Sequence, residues 1–168
     1  MRLIMIIMLK IFKRINSLLK ILFYKIVYSK SLRIGISTIL YPRVHIIIEK
    51  NGNVEIGKNC FFNCNCSINS IKKIKIGDDC IFGENVCLYD HNHEFRKKGL
   101  IRKQGYNSNQ IIIGKNCWIG SNVTILAGVE IGDNVVIAAN SVITKNIDSN
   151  KIVYNKTNLI ERNMNLYG

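Results

Sequence analysis

Two of the three histidines in this chain stand close together, in the stretch Asp90-His91-Asn92-His93. A neutral imidazole, with an unperturbed pKa of about 6.5, can take a proton from a hydroxyl at working pH. A histidine at the root of a polar segment is therefore a candidate general base. His-x-His offers two such bases, His91 and His93, which share a face if the backbone is extended. Asp90 either orients an imidazole or simply begins the segment. Six cysteines also carry potential chemistry. Cys64-Asn65-Cys66 lacks a second Cys or His pair at zinc-finger spacing, so no metal site is expected.

Stepping outward from His91, a six-residue rhythm governs the chain. Ile113, Ile119, Ile125, Ile131, Ile137 and Ile143 recur at intervals of six. Four positions after each lies a small or medium residue: Cys117, Val123, Val129, Val135, Ser141 and Ile147. A helix returns its apolar stripe every three or four residues, so this period excludes one. It fits a coil of very short parallel strands, three hexads to a triangular turn, with glycine relieving backbone crowding at Gly114, Gly120 and Gly132. Such a β-solenoid stacks like side chains from turn to turn into a narrow core. Cys60, Cys66, Cys80 and Cys117 fall in the small inward register, where a free thiol acts as a small hydrophobe. A reducing, cytoplasmic compartment follows.

The same rhythm starts irregularly at Ile34-Gly35, runs clearly through Ile56, Phe62 and Ile68, and resumes at Ile76, Phe82 and Leu88. Residues 90–110 interrupt it with a polar, basic tract rooted at the histidines. An insertion in a solenoid projects as a loop from one edge, where binding residues concentrate. Ahead of the coil, residues 3–27 place Ile4, Met8, Ile11, Ile15, Leu18, Leu22 and Ile26 along one stripe, with Lys10, Lys13, Arg14, Ser17 and Lys20 on the opposite arc. That pattern is a basic amphipathic helix. Its longest apolar run, Leu3–Leu9, is seven residues, too short to span a bilayer. It lies in the cytoplasmic membrane leaflet beside acidic headgroups, or else caps the open end of the solenoid or packs against a neighbouring subunit. The expected organisation is a helix over 1–30, a solenoid over 31–150 with the extruded loop 90–110, and a tail over 151–168.

The formal net charge of +13 is uneven. No Asp or Glu precedes Glu49, whereas nine Lys and Arg do, which suggests an anionic partner at the N-terminal end, a membrane surface foremost. No recognised nucleic-acid-binding module accompanies the charge, and nucleic acid is not an expected partner.

The hexads Ile76-Gly77-Asp78-Asp79-Cys80-Ile81, the His-bearing loop, and then Ile113 through Gly120 with Ile143-Thr144-Lys145 together resemble the hexapeptide-repeat acyltransferases. Within these, the chain is most similar to the maltose, galactoside and capsular or lipopolysaccharide O-acetyltransferase branch, over roughly residues 34–150. The resemblance implies an all-β, left-handed parallel β-helix, a homotrimer, and acetyl-CoA in a groove between adjacent subunits. It implies that His91 is the catalytic base, with His93 as its rival and Asn63 near the acceptor. It places Trp118, Ser121, Ala139, Thr144 and Lys145 along the CoA groove. Each also has a plainer reading: Trp118 as an indole packed on the loop, Ser121 and Thr144 as turn residues, and Lys145 as a solvated cation. Two departures stand out. Ile137-Ala138-Ala139-Asn140-Ser141 carries more bulk than the usual Ile-Gly-Ala-Gly-Ser, and Tyr154 to Asn158 replaces an Asn-Pro-Ala ending.

The function implied is acetyl-CoA-dependent O-acetylation of a sugar hydroxyl in a surface polysaccharide or a lipid-linked glycan precursor, in the cytoplasm or on the inner membrane face. Acetylation of a small sugar or xenobiotic, or N-acetylation of an amino sugar, stays open, as does a non-catalytic solenoid that binds through its flat faces. The basic loop residues Arg96, Lys97, Lys98, Arg102 and Lys103 suit either an acidic glycan or plain solvation. A zinc-dependent carbonic anhydrase of the same architecture needs three histidine ligands, which distant His45 with His91 and His93 in one loop does not supply.

Overall fold

The six-residue repeat winds the chain into a three-faced coil, seen in a computed structural model that describes residues 2–155. Of the expected tail, residues 156–168 lie outside the described residues, among them Lys156, Thr157 and Asn158 of the segment that lacks proline. Helix α1 (Arg2–Tyr28) comes first, followed by a 3-10 turn at Ser29–Ser31. Coil 1 consists of β1 (Leu32–Ile34), β2 (Ile39–Leu40) and β3 (His45–Ile48). Coil 2 holds β4 (Val54–Ile56), β5 (Phe61–Phe62) and β6 (Ser67–Ser70), and coil 3 holds β7 (Ile74–Ile76), β8 (Ile81–Phe82) and β9 (Cys87–Tyr89). The expected loop then contains an antiparallel hairpin, β10 (His91–His93) with β11 (Tyr106–Ser108). Coil 4 is β12 (Ile111–Ile113), β13 (Trp118–Ile119) and β14 (Thr124–Ile125). Coil 5 is β15 (Glu130–Ile131), β16 (Val136–Ile137) and β17 (Val142–Ile143), and β18 (Ile152–Val153) opens a sixth turn.

Strands stack in parallel into three faces. Face A is β1-β4-β7-β12-β15, face B is β2-β5-β8-β13-β16-β18, and face C is β3-β6-β9-β14-β17. The architecture is the left-handed parallel β-helix. Every repeat-start residue from Ile34 to Ile143 is buried, and so are Cys60, Cys66, Cys80 and Cys117 in the second inward register. Coil 1 is more regular than its sequence suggests: Ile34, Leu40 and Ile46 all point inward, with buried Thr38 where later coils have a cysteine or valine. Thr38 Oγ1 donates to the Gly57 carbonyl at 2.8 Å. The thiols above it do the same, Cys60 to Gly77 at 3.2 Å, Cys80 to Gly114 at 3.1 Å and Cys117 to Gly132 at 3.2 Å. Burial pushes the Cys66 thiol up to about 11, and Cys80, flanked in the stack by the thiols of Cys117 and Cys60, is also pushed up. These cysteines are core residues.

Glycine and asparagine divide the work of turning the corner. A Cβ on Gly77 would sit 2.6 Å from the Gly114 carbonyl oxygen, so a side chain there would force the coils apart. The left-handed conformation falls elsewhere, three residues after the repeat start, at Asn59, Asn85, Asn116, Asn122 and Asn134, with φ between 53° and 59°. Asparagine tolerates that region better than most residues and brings an amide to the corner. These amides link coil to coil, Asn116 Nδ2 donating to Asn134 Oδ1 at 2.9 Å and Asn134 Nδ2 to Asn150 Oδ1 at 3.1 Å. The A–B and B–C corners are built this way. The C–A corner carries no such ladder, and there the hairpin leaves the coil.

Helix α1 covers the open end, one of the roles its pattern allows. The residues of α1 that are not exposed are Lys13, Ser17, Lys20, Ile21, Tyr24 and Tyr28. Ser17 Oγ accepts from Leu40 N at 2.8 Å, Lys20 Nζ donates to Tyr41 O at 3.0 Å, and Tyr24 and Tyr28 donate to Val44 O and Ile46 O. These are backbone groups of coil 1 that no further strand can pair. Among the described residues no helix is long and apolar enough to cross a membrane.

In the core, the rings of Phe62 and Phe82 stack at 4.2 Å between centroids and 5° between planes. Both are fully buried, so Phe82→Ala leaves a cavity flanked by coils that cannot collapse without losing register. It should lower stability by about 3–5 kcal/mol in urea titration, against well under 1 kcal/mol for an exposed substitution such as Lys103→Ala.

Candidate active site

The hairpin of β10 and β11 is the extruded loop, and its base is bolted to the solenoid by one carboxylate. Asp90 is fully buried. Its Oδ1 accepts from Ile71 N at 2.8 Å, and its Oδ2 accepts from Lys72 N and from Ser70 Oγ, each at 2.8 Å. The His91 ring lies against the same carboxylate, Nδ1 to Asp90 Oδ1 at 3.0 Å. The carboxylate can only accept, so Nδ1 carries the proton and the neutral ring keeps its lone pair on Nε2. Asp90 stands at the start of the loop and contacts the imidazole of His91.

Register within the hairpin pairs His91 with Ser108, Asn92 with Asn107 and His93 with Tyr106. His91 and His93 share a face, as extended backbone requires, and Tyr106 stands beside both. Its ring meets His91 edge-on at 5.3 Å and 88°, and lies 4.6 Å from His93. Tyr106 was not among the residues expected from sequence. Only the pairing of β10 with β11 brings it there, and a tract read as aperiodic gave no register. The two histidines differ in setting: the side chain of His91 is only 20% exposed, whereas His93 is exposed and lines a polar recess of about 440 Å³ with Asn92, Phe95 and Asn107. At the tip, Gln104 closes the hairpin by bonding Lys97 N, Lys97 O and Gly99 O.

The other expected site residues, Trp118 apart, divide between two corners. Thr144 and Lys145 are exposed at the C–A corner, on the edge from which the hairpin springs. Asn63, Ser121 and Ala139 lie at the B–C corner, a full face away, about five residues or roughly 16 Å. Asn63 Oδ1 accepts from Cys64 N at 2.8 Å within its own turn, and Ser121 Oγ accepts from Glu84 N of the preceding coil at 3.2 Å. Ala139 is exposed. Trp118 is 56% exposed in the middle of face B, in register with Ile81 and Val136, and it packs on neither corner. A single copy thus brings Asp90, His91, His93 and Tyr106 together and leaves Asn63, Trp118, Ser121 and Ala139 apart from them. Among the described residues no three His, Cys, Asp or Glu side chains are grouped as metal ligands would be.

A solenoid of hexapeptide coils with a histidine-rooted hairpin on one edge defines a class, and comparison with known proteins agrees. Residues 110–145 match the family described as hexapeptide repeat of succinyl-transferase. The galactoside O-acetyltransferase of Escherichia coli (strain K12) is 38% identical over 111 residues, covering 64% of this chain and 52% of that protein. A solved galactoside acetyltransferase in complex with coenzyme A is 32% identical with a TM-score of 0.67, covering 85% of this chain and 76% of that one. A maltose O-acetyltransferase from Clostridium difficile 630 is 31% identical with a TM-score of 0.63, covering 78% and 69%. The chain belongs to the hexapeptide-repeat acetyltransferase family. It spans about half the length of the curated relatives it matches.

Because Asp90 holds two backbone amides and a hydroxyl besides His91, its removal should be felt first in the coil. In Asp90→Ala, amide hydrogen exchange at Ile71 and Lys72 is expected to speed up by roughly tenfold or more, with the amides of coil 5 unchanged. Unchanged protection at Ile71 and Lys72 would mean that the carboxylate does not anchor the loop.

Proposed function

We propose that the protein transfers the acetyl group of acetyl-CoA to a sugar hydroxyl, with His91 as general base. The observation that carries this reading is the Asp90–His91 hydrogen bond, in which a buried and fully occupied carboxylate fixes the tautomer. Nε2 would take the proton from the acceptor hydroxyl as its oxygen attacks the thioester carbonyl. The imidazolium so formed gains from the adjacent Asp90 charge. Collapse of the tetrahedral adduct breaks the C–S bond, and the departing CoA sulfur receives the proton back from His91. A backbone N–H of the neighbouring coil suits the developing oxyanion. His93 would contact the acceptor rather than serve as base, since it lines the polar recess and lacks a buried partner.

Support for a sugar acceptor comes from the relatives: two of those described above are named for galactosides and one for maltose. Support for CoA comes from the coenzyme A complex of the structurally similar galactoside acetyltransferase. A surface polysaccharide or a lipid-linked glycan precursor is the acceptor we favour. A homotrimer explains the division of residues between corners: a second copy laid with its B–C corner against the hairpin edge of the first would bring Asn63, Ser121 and Ala139 toward His91. Acetyl-CoA would occupy that groove, its thioester at His91 and its phosphates within reach of Lys145, with Trp118 on the adjoining face. Six free cysteines, four of them in the core, fit a cytoplasmic setting.

The test is release of CoA thiol from acetyl-CoA in the presence of a galactoside or maltose, read with a thiol reagent. His91→Ala should lower kcat by roughly 10²- to 10⁴-fold with the fold intact, and His93→Ala should act mainly on the KM for the sugar. Full turnover by His91→Ala would remove the assigned base. Light scattering should give the mass of a trimer, and an active monomer would rule out the shared groove.

A further inference from the structure

Helix α1 is inverted relative to an ordinary cap. Its polar arc faces the protein: Ser17, Lys20, Tyr24 and Tyr28 bond free backbone groups of coil 1, and Lys13 lies over the Tyr41 ring at 4.8 Å. The apolar stripe of Ile4, Met8, Ile11, Ile15, Leu18, Leu22 and Ile26 sits on the far side, roughly 160° around the helix at 3.6 residues per turn. Every one of those side chains is at least 50% exposed, and Phe12, Leu19 and Phe23 beside them are at least 60% exposed. An apolar face this long marks a binding surface. Its charge says for what. The helix contains Arg2, Lys10, Lys13, Arg14, Lys20 and Lys25 and no acidic residue, and Lys10, Arg14 and Lys25 run along one flank of the stripe. Two copies laid stripe to stripe would oppose cations with cations. A sheet of anionic phospholipid answers both the apolar face and the charge. Between α1 and coil 1 lies a cleft of about 380 Å³ with Leu9, Phe12 and Pro42 for apolar contact and Lys13, Lys20 and Arg43 for a phosphate.

We propose that α1 docks the protein on the surface of an anionic phospholipid bilayer through its outward apolar stripe, so that the solenoid stands upright on the membrane. This goes beyond the acetyl-transfer reading, and only the choice of acceptor rests on it. Because α1 lies across the end of coil 1, the stacking direction becomes the membrane normal. His91 follows β9, two strand steps from β3, or about 10 Å, and a packed helix adds about as much again. The histidine is thereby held roughly 20 Å from the helix axis, facing along the membrane rather than into it. An acceptor suited to that height is the headgroup-proximal sugar of a lipid-linked glycan.

Flotation of the full chain with vesicles tests this without any acyl substrate. Vesicles of phosphatidylcholine mixed with phosphatidylglycerol should bind the protein, added salt should weaken the binding, and pure phosphatidylcholine should bind at least about tenfold less. The Ile11→Glu, Ile15→Glu, Leu18→Glu variant should lose binding at least about tenfold while keeping its thermal unfolding temperature. In Leu18→Trp, brominated lipid should quench the new indole and spare Trp118, the one native tryptophan, which lies three strand steps up face B from β2. No binding to anionic vesicles, binding indifferent to lipid charge, or quenching of Trp118 alone would overturn the proposal. So would a glutamate variant that dissociates the oligomer while the native protein ignores vesicles, since the stripe would then belong to a second copy.

Discussion

The fold depends on the hydrogen bonds that tie each coil to the next at the spacing of a β-sheet. In a parallel β-helix of this kind the core is one coil wide, so every side chain inside it touches the same position one turn above and below. Register is then self-enforcing. Slipping one residue would turn Ile76, Phe82 and Leu88 outward together and push polar neighbours into the core. It would also place side chains where the coils approach most closely, as at Gly77 against the Gly114 carbonyl. The asparagine ladders at two corners add amide-to-amide bonds that only aligned coils can make.

That constraint explains what could be read from the sequence and what could not. Interior positions repeat, so the isoleucine series from Ile113 to Ile143 and the small register behind it were legible, including the four core cysteines. Coil 1 looked irregular because Thr38 hides a polar group at an inward position and because its C–A corner is longer, so that Ile56 lies 22 residues after Ile34 whereas Ile131 lies 18 after Ile113. The left-handed asparagines were not legible, because the glycine that follows the repeat start leaves room between coils rather than supplying the positive φ, which falls two residues further on. In the loop, His91 and Asp90 were legible from their place at the end of the periodic stretch. Tyr106 was not, because hairpin register depends on a pairing that composition does not encode.

The amphipathic helix shows the limit of periodicity most clearly. A stripe of apolar residues says that a helix has two unlike sides and leaves open which side meets the protein. What decides here is the unpaired edge of coil 1. Its backbone groups need donors and acceptors, and Ser17, Lys20, Tyr24 and Tyr28 provide them, whereas the isoleucines could not. A solenoid whose strands end in open edges selects the polar arc of its cap, and the apolar arc is left facing outward as a consequence.

The same logic locates the candidate site. At the A–B and B–C corners, the left-handed residue and its amide ladder fix the length of the turn, and an insertion there would break the ladder above and below. The C–A corner has no ladder and already varies in length from coil to coil, so it can release a hairpin without disturbing the stack. What the corner lacks in ladder bonds Asp90 replaces, accepting from Ile71, Lys72 and Ser70 in the coil while its remaining reach goes to His91. One buried carboxylate therefore closes the solenoid where it is interrupted and holds the imidazole at the interruption. The position of the histidine is set by the bonds that make the insertion tolerable, which ties the geometry of the candidate site to the stacking of the coils.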